Sequence, residues 1–190
     1  MPKVSFKEMK NGTKDDYLLL DKYEKKYAEG TADRILKFMS GLNETLEGYQ
    51  VSRLEHSLQS ATRAYKNNET NEMVVAVLLH DIGDELAPMN HSEYAAAVLK
   101  PYVSEKTHWI VEKHGEFQTY YYAHHLGGDK NKREKYKGQN ITKHVLIFVK
   151  NMTKYLLILT MNLSLLNSLN QWLKKYLLEN PTVIIKESNF

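Results

Sequence analysis

The alternation of apolar and polar positions is helical almost from the start of the chain. In "TKDDYLLLDKYEKKYA", Thr13 stands as an N-cap ahead of two aspartates that suit the positive end of a helix dipole. "TADRILKFMSGL" follows Gly30 and stops at Gly41. In "SRLEHSLQSATRAY", Leu54, Leu58, Ala61 and Tyr65 share one face at helical spacing, with His56, Gln59 and Arg63 opposite. The valine-rich run "NEMVVAVLLHD" fits a buried strand equally well by periodicity alone. Its helical neighbours and the cap-like Asn71-Glu72 assign it to a central helix that Gly83 ends. "HSEYAAAVLKPYV" starts a helix after Asn90, "SEKTHWIVEKHG" another after Ser104, and "EFQTYYYAHHLG" a third. The chain has no internal repeat, no Gly-rich phosphate loop and no alternation of strands with helices. The pattern predicts an all-α single domain.

Composition narrows the classes of function. A chain of 190 residues supports one domain with a real core. Hydrophobic content of 42% and charged content of 26% are ordinary for a soluble globular protein. The absence of cysteine excludes disulfides, thiolate zinc sites and cysteine nucleophiles together. "MPKVSFKEMKNGTKDDY" lacks a signal-peptide core, and "YLLILTMNLSLLNSL" is too broken to span a membrane. A cytoplasmic protein with no membrane partner is expected. The net charge of +3 is unevenly spread: residues 1–138 hold 20 Lys+Arg against 21 Asp+Glu, and residues 139–190 hold 6 against 2. The last 52 residues carry 11 leucines and 7 asparagines but no basic stripe with interleaved aromatics, so no nucleic-acid partner is expected.

Candidate chemistry sits in the histidines, seven of whose eight lie between 56 and 125. A lone histidine on a helix is usually just satisfied. The pair His80-Asp81 is different, because a carboxylate at the end of an apolar helix is costly to bury without a partner. A metal ion removes that cost. Neighbouring helical residues point about 100° apart, so both reach one site only where a helix ends and the chain opens. Asp81 has two oxygens and can bridge two ions. His56, His80 and Asp81 form one ligand group, which needs at least one more protein ligand to close. His91, after a helix-capping Asn90, and His114, on a helix end before Gly115, are available for a second. Imidazole and carboxylate without sulfur suit iron, manganese or zinc.

"RLEHSLQ", then "HDIGD" 24 positions on, then "NHSEYAA" and "EKHGEFQ", resembles the HD-domain superfamily. More narrowly it resembles the diiron HD-domain oxygenases of the 2-amino-1-hydroxyethylphosphonate dioxygenase type and, more distantly, myo-inositol oxygenase. The resemblance runs from about Thr13 to Gly138. It implies an all-α HD-domain fold and two iron ions, or other divalent metals, in a mixed-valent pair. His56, His80 and Asp81 would hold the first and His91 and His114 complete the second, with Asp81 bridging. His80 and Asp81 would then be the catalytic pair, in an enzyme that binds a substrate hydroxyl, takes up dioxygen and cleaves a carbon–carbon or carbon–phosphorus bond. Small-molecule substrate and dioxygen are the implied partners. Phosphonate-cleaving relatives carry a lysine one turn after the fourth histidine, where this chain has Gln118. Gln118 is therefore a candidate substrate contact that lacks a charge-assisted bond to a phosphonate. Tyr121, within "TYYYAHH", offers an aromatic face for a quaternary ammonium group.

The tail departs from the family. Its members close the first iron site with an aspartate in a C-terminal "YDQ" helix, and residues 139–190 contain no aspartate. Codons can be chosen for "GQNITKHV" (138–145) that read "GHKYYQTC" after insertion of one base, and the same frame can be continued into "YDQ" across Met152 and Thr153. Three segments are expected: a helical lead-in at 1–45, an HD-domain metal-binding core at 46–138, and a frameshifted tail at 139–190 that packs poorly. The resemblance also admits an HD-domain phosphohydrolase, in which a metal-bound water attacks a phosphoester, and a non-catalytic remnant that keeps part of the metal site.

Overall fold

The computed structural model describes residues 1–44, 47–153, 171, 174–176 and 179. Within them the fold is helical, with no strand: α1 (Lys14–Glu29), α2 (Thr31–Gly41), α3 (Arg53–Lys66), α4 (Asn71–Leu79), α5 (His91–Leu99), α6 (Glu105–Tyr122) and α7 (Thr142–Ile147). A π-helical turn, Phe148–Thr153, continues α7. The all-α expectation holds.

Helix starts follow cap chemistry. Thr13 accepts from the Asp16 amide while the Asp16 carboxylate receives the Thr13 amide, and Ser52 and Glu55 repeat this reciprocal pairing at the head of α3. Thr70, rather than Asn71, caps α4 by accepting from the Met73 amide at 3.2 Å. Val74 to Leu79 are all buried, so α4 is the central element, with α3 packed on one side and α5 and α6 on the other.

Three local expectations change. The helix α4 ends at Leu79, ahead of Gly83. Gly83 serves a close approach instead: a Cβ there would lie 2.6 Å from the His91 carbonyl oxygen and 2.7 Å from its Cα. Gly115 likewise ends nothing, because α6 runs through it, and His114 lies mid-helix. A Cβ at Gly115 would meet the Ser92 Oγ at 2.4 Å, so this glycine lets the start of α5 press against α6. On α3 the apolar face is displaced: Tyr65 is 62% exposed, whereas His56 and Gln59 are buried. This helix is covered on two sides, by α4 and by the π-helical turn.

The tail also differs from expectation where it is described. Val145, Phe148 and Val149 are buried in the common core, and this stretch packs against α3 and α6. Apolar side chains at helical spacing suffice to fill that groove, whatever their origin. Most of the residues after Thr153 lie outside the described ones.

Candidate metal centre

The end of α4 delivers two consecutive side chains to one point. His80 takes the C-cap position, where the chain leaves the helix, and Asp81 follows in the turn. From Asp81, Oδ2 lies 3.2 Å from His80 Nε2 and 3.6 Å from His56 Nε2. Oδ1 lies 3.4 Å from His114 Nε2 and 3.7 Å from His91 Nε2. One carboxylate thus divides its oxygens between two imidazole pairs. In each group, His56–His80–Asp81 and Asp81–His91–His114, the ligand atoms lie within 4.8 Å of one another. All five residues singled out as ligands in the sequence are brought together, from α3, the α4 end, the α5 start and the middle of α6.

Hydrogen bonds orient the rings. His80 Nδ1 donates to the Val77 carbonyl at 2.7 Å, and His114 Nδ1 donates to the Val111 carbonyl at 2.6 Å. A carbonyl only accepts, so each ring carries a proton on Nδ1, which leaves Nε2 as the atom that faces Asp81. His80 Nε2 is buried with no hydrogen-bond partner. His91 Nε2 and His114 Nε2 approach to 3.3 Å. Lone pairs and a carboxylate converging in a buried space call for a cation, and nitrogen and oxygen donors without sulfur fit the expected iron ions.

The electrostatics agree. Burial pushes the His56 imidazole down to about 3, with the neighbouring His80 adding to it. Burial and His114 push His91 down to about 4, and burial lowers His114 as well. These rings are neutral at pH 7, the form that binds metal. Burial drives the Asp81 carboxyl up, but the adjacent His80 and the hydrogen bond with His114 outweigh it and hold Asp81 well below the usual range. The carboxylate is ionised.

Several residues around this centre were not singled out in the sequence. Phe148 packs its ring 5.9 Å from both His80 and His114, closing the side under the tail. Arg53 lies one turn before His56 and reaches Asp84 at 2.8 Å and Asp81 at 3.6 Å. Ser92 Oγ lies 3.2 Å from His91 Nε2. The "HDIGD" string contains Asp84, and the i−3 spacing places Arg53 on the His56 face, so both signals were present. On the His91 side a cavity of about 820 Å³ opens, lined by His91, Ser92, Lys113, Gly115, Thr119 and Tyr122 among others. Gln118, half-buried one turn beyond His114, and Tyr121, 41% exposed, do not line it. The Tyr120 face is already covered by Arg133 at 3.5 Å.

Among curated proteins, this chain is similar to a [1-hydroxy-2-(trimethylamino)ethyl]phosphonate dioxygenase (glycine-betaine-forming) from Leisingera caerulea. The two are 33% identical over 84 residues. The similarity covers 36% of this chain and only 43% of that relative's length. The HD domain family matches residues 53–152, a stretch running from Arg53 through Asp81 and into the described part of the tail. With a helical fold, the His80-Asp81 pair at its centre and a family match over more than half its length, the chain belongs to the HD-domain family.

Proposed function

We propose that this chain is a diiron oxygenase scaffold that acts on a small hydroxylated substrate of the phosphonate class, with a first metal site weakened by its altered tail. The observation that carries this reading is the divided carboxylate of Asp81, one oxygen towards His56 and His80, the other towards His91 and His114. A mononuclear HD-domain phosphohydrolase would leave His91 and His114 without a role. When bound, the two iron ions would supply dioxygen reduction and a Lewis-acidic anchor for a substrate hydroxyl. The chain's own part is to hold the imidazoles and one ionised carboxylate in a buried space, with Phe148 closing one side. The cavity beside His91 is the substrate approach. Gln118, at i+4 from His114, and Tyr121, the substrate contacts expected from the sequence, lie outside the lining of that cavity, so the residues proposed to meet substrate there are His91, Ser92, Lys113 and Thr119.

The weakened site is argued from the tail's sequence, which contains no aspartate. Methionine has a single codon ending in G and every threonine codon starts AC, so a shifted frame across Met152-Thr153 reads GAC, an aspartate, whatever third bases are chosen. The tail is therefore proposed to be a one-base frameshift of a family tail that supplied this ligand.

Anaerobic Fe²⁺ loading followed by oxygen-uptake assay tests both parts. The probe is [1-hydroxy-2-(trimethylamino)ethyl]phosphonate, with the given chain and a chain frame-restored at codon 139 run side by side. Substrate-dependent oxygen uptake in the restored chain and little in the given one is expected. Phosphate-ester hydrolysis without oxygen uptake would overturn the oxygenase reading. Full activity in the given chain would overturn the weakened-site reading.

A further inference from the structure

The four imidazoles of the centre are held in three different ways. His80 and His114 each donate Nδ1–H to the carbonyl three residues earlier in their own chain segment, a device the backbone enforces. His56 Nδ1 is buried with no hydrogen-bond partner. His91 is different again: its Nδ1 faces the Asp84 carboxylate, 3.5 Å from Oδ1. Asp84 is itself buried, and its other oxygen, Oδ2, is ion-paired with Arg53 Nε at 2.8 Å, an approach that does not have the geometry of a hydrogen bond. The same guanidinium reaches Asp81 Oδ2 at 3.6 Å, and its opposite face is covered by the Tyr49 ring at 4.5 Å. Asp84 lies outside both groups of ligand atoms, so its carboxylate is free to serve as an orienting acceptor.

We propose that Asp84, anchored by Arg53, is the positioning residue for His91 and thereby sets the affinity of the Asp81–His91–His114 metal site while leaving the His56–His80–Asp81 site alone. The inference rests on the two-metal reading above. The physical reason is that His91 is the one ligand at a helix start, with 24% of its side chain exposed. Without a partner at Nδ1 its ring can rotate towards the cavity or present the wrong nitrogen. A carboxylate at Nδ1 fixes the tautomer, so Nε2 faces Asp81 and His114, and it raises the basicity of the ring as a ligand. Arg53 keeps two carboxylates three residues apart from repelling each other, and directs Asp84 Oδ1 to His91. Gly83 completes the arrangement by letting the His91 backbone sit within 2.7 Å of where its Cβ would be.

The test is metal titration of the full chain with Mn²⁺ and, anaerobically, with Fe²⁺, read as calorimetric stoichiometry and site affinities. The wild type is compared with Asp84→Ala and Asp84→Asn, and the metal-free melting temperature of each is recorded. Asp84→Ala should weaken one of the two sites by about 10–100-fold and leave the other within about 2-fold. Asp84→Asn retains an acceptor oxygen for His91 and should recover most of that loss. Equal weakening of both sites, or unchanged affinity at both, overturns the positioning role. So does an Asn variant as defective as Ala while both remain folded by melting temperature. If Asp84→Ala fails to fold, the Asn variant against a His91→Ala control decides alone: a loss at Asn equal to that at His91→Ala overturns the proposal. A wild type that takes up only one ion overturns the two-metal reading beneath it, which is a different result from a two-ion wild type indifferent to Asp84.

Discussion

Truncating Phe148 to alanine tests whether the segment after residue 139 is part of this domain. The side chain is 1% exposed and its ring packs edge-on against His80 and tilted against His114, with centroids 5.9 Å away in each case. Around it lie other buried side chains of the core, Val145 and Val149 from its own segment among them. Removing a fully buried phenyl ring costs the lost transfer free energy plus the cavity left behind, together about 3–5 kcal/mol. In a domain of this size each kcal/mol moves the melting temperature by roughly 2–4 °C, so Phe148→Ala should melt roughly 6–20 °C below the parent. Differential scanning calorimetry or far-UV circular dichroism of the metal-free protein reads this directly. The imidazoles keep their Nδ1 bonds to Val77 and Val111 in the variant, so metal affinity should fall less steeply than stability. A shift under about 2 °C would mean that Phe148 is not buried in solution. The packing of residues 142–149 over the centre would then be wrong.

Other substitutions separate ligand roles from packing. Asp81→Ala should lower bound metal more than His114→Ala, because only Asp81 faces both groups of ligand atoms; equal retention in elemental analysis would remove the bridging role. Gly83→Ala sets a Cβ against the His91 backbone at 2.6 Å, where nothing flexible can give, and should destabilise by about 1–3 kcal/mol in urea titration. Gly115→Ala clashes with the Ser92 Oγ alone, the His91 ring lying at ordinary contact distance of 3.5 Å, and gains helix propensity of about 1 kcal/mol, so pairing it with Ser92→Ala should restore or exceed parental stability. A double variant weaker than Gly115→Ala alone would contradict that account. The amides of Ser5 and Thr13 and the hydroxyls of both residues all donate to Asp16 and hold its carboxyl well below its ordinary value of 3.8. Since the folded value is the lower one, this contribution is present above about pH 4 and is lost as pH falls further. Asp16→Asn, which keeps an acceptor oxygen but loses the charge, should lower the protection of the Ser5 and Thr13 amides against hydrogen exchange at neutral pH, and unchanged protection would contradict this account.

Much of the centre was legible because its chemistry is local. The apolar run into His80-Asp81 carries its own demand for a cation, and helix periodicity alone predicts elements close to α1, α2, α3 and α5. What was hidden depends on contacts between elements. Gly115 looks like a helix stop in one dimension, and only the approach of Ser92 from α5 shows why a side chain is excluded there. Tyr65 fits the apolar face of α3 by spacing, yet His56 and Gln59 are the buried side chains, because that helix is covered from two directions. Asp84 stands three residues after Asp81 in plain view. Its role needs both Arg53 and His91, which reach it from helices separated in sequence. The tail misleads for the opposite reason: its composition differs from that of the rest of the chain, but apolar residues at helical spacing still fill a groove.

The most direct test of the two-metal account is the number of ions the given chain holds. Anaerobic titration with Fe²⁺, followed by iron content per chain and by electron paramagnetic resonance after partial oxidation, should show two ions at saturation, the more weakly bound one at the His56–His80–Asp81 group. The pair should show spin coupling, since one Asp81 carboxylate faces both groups. Saturation at a single iron, or two irons with no coupling, would contradict a centre bridged by Asp81.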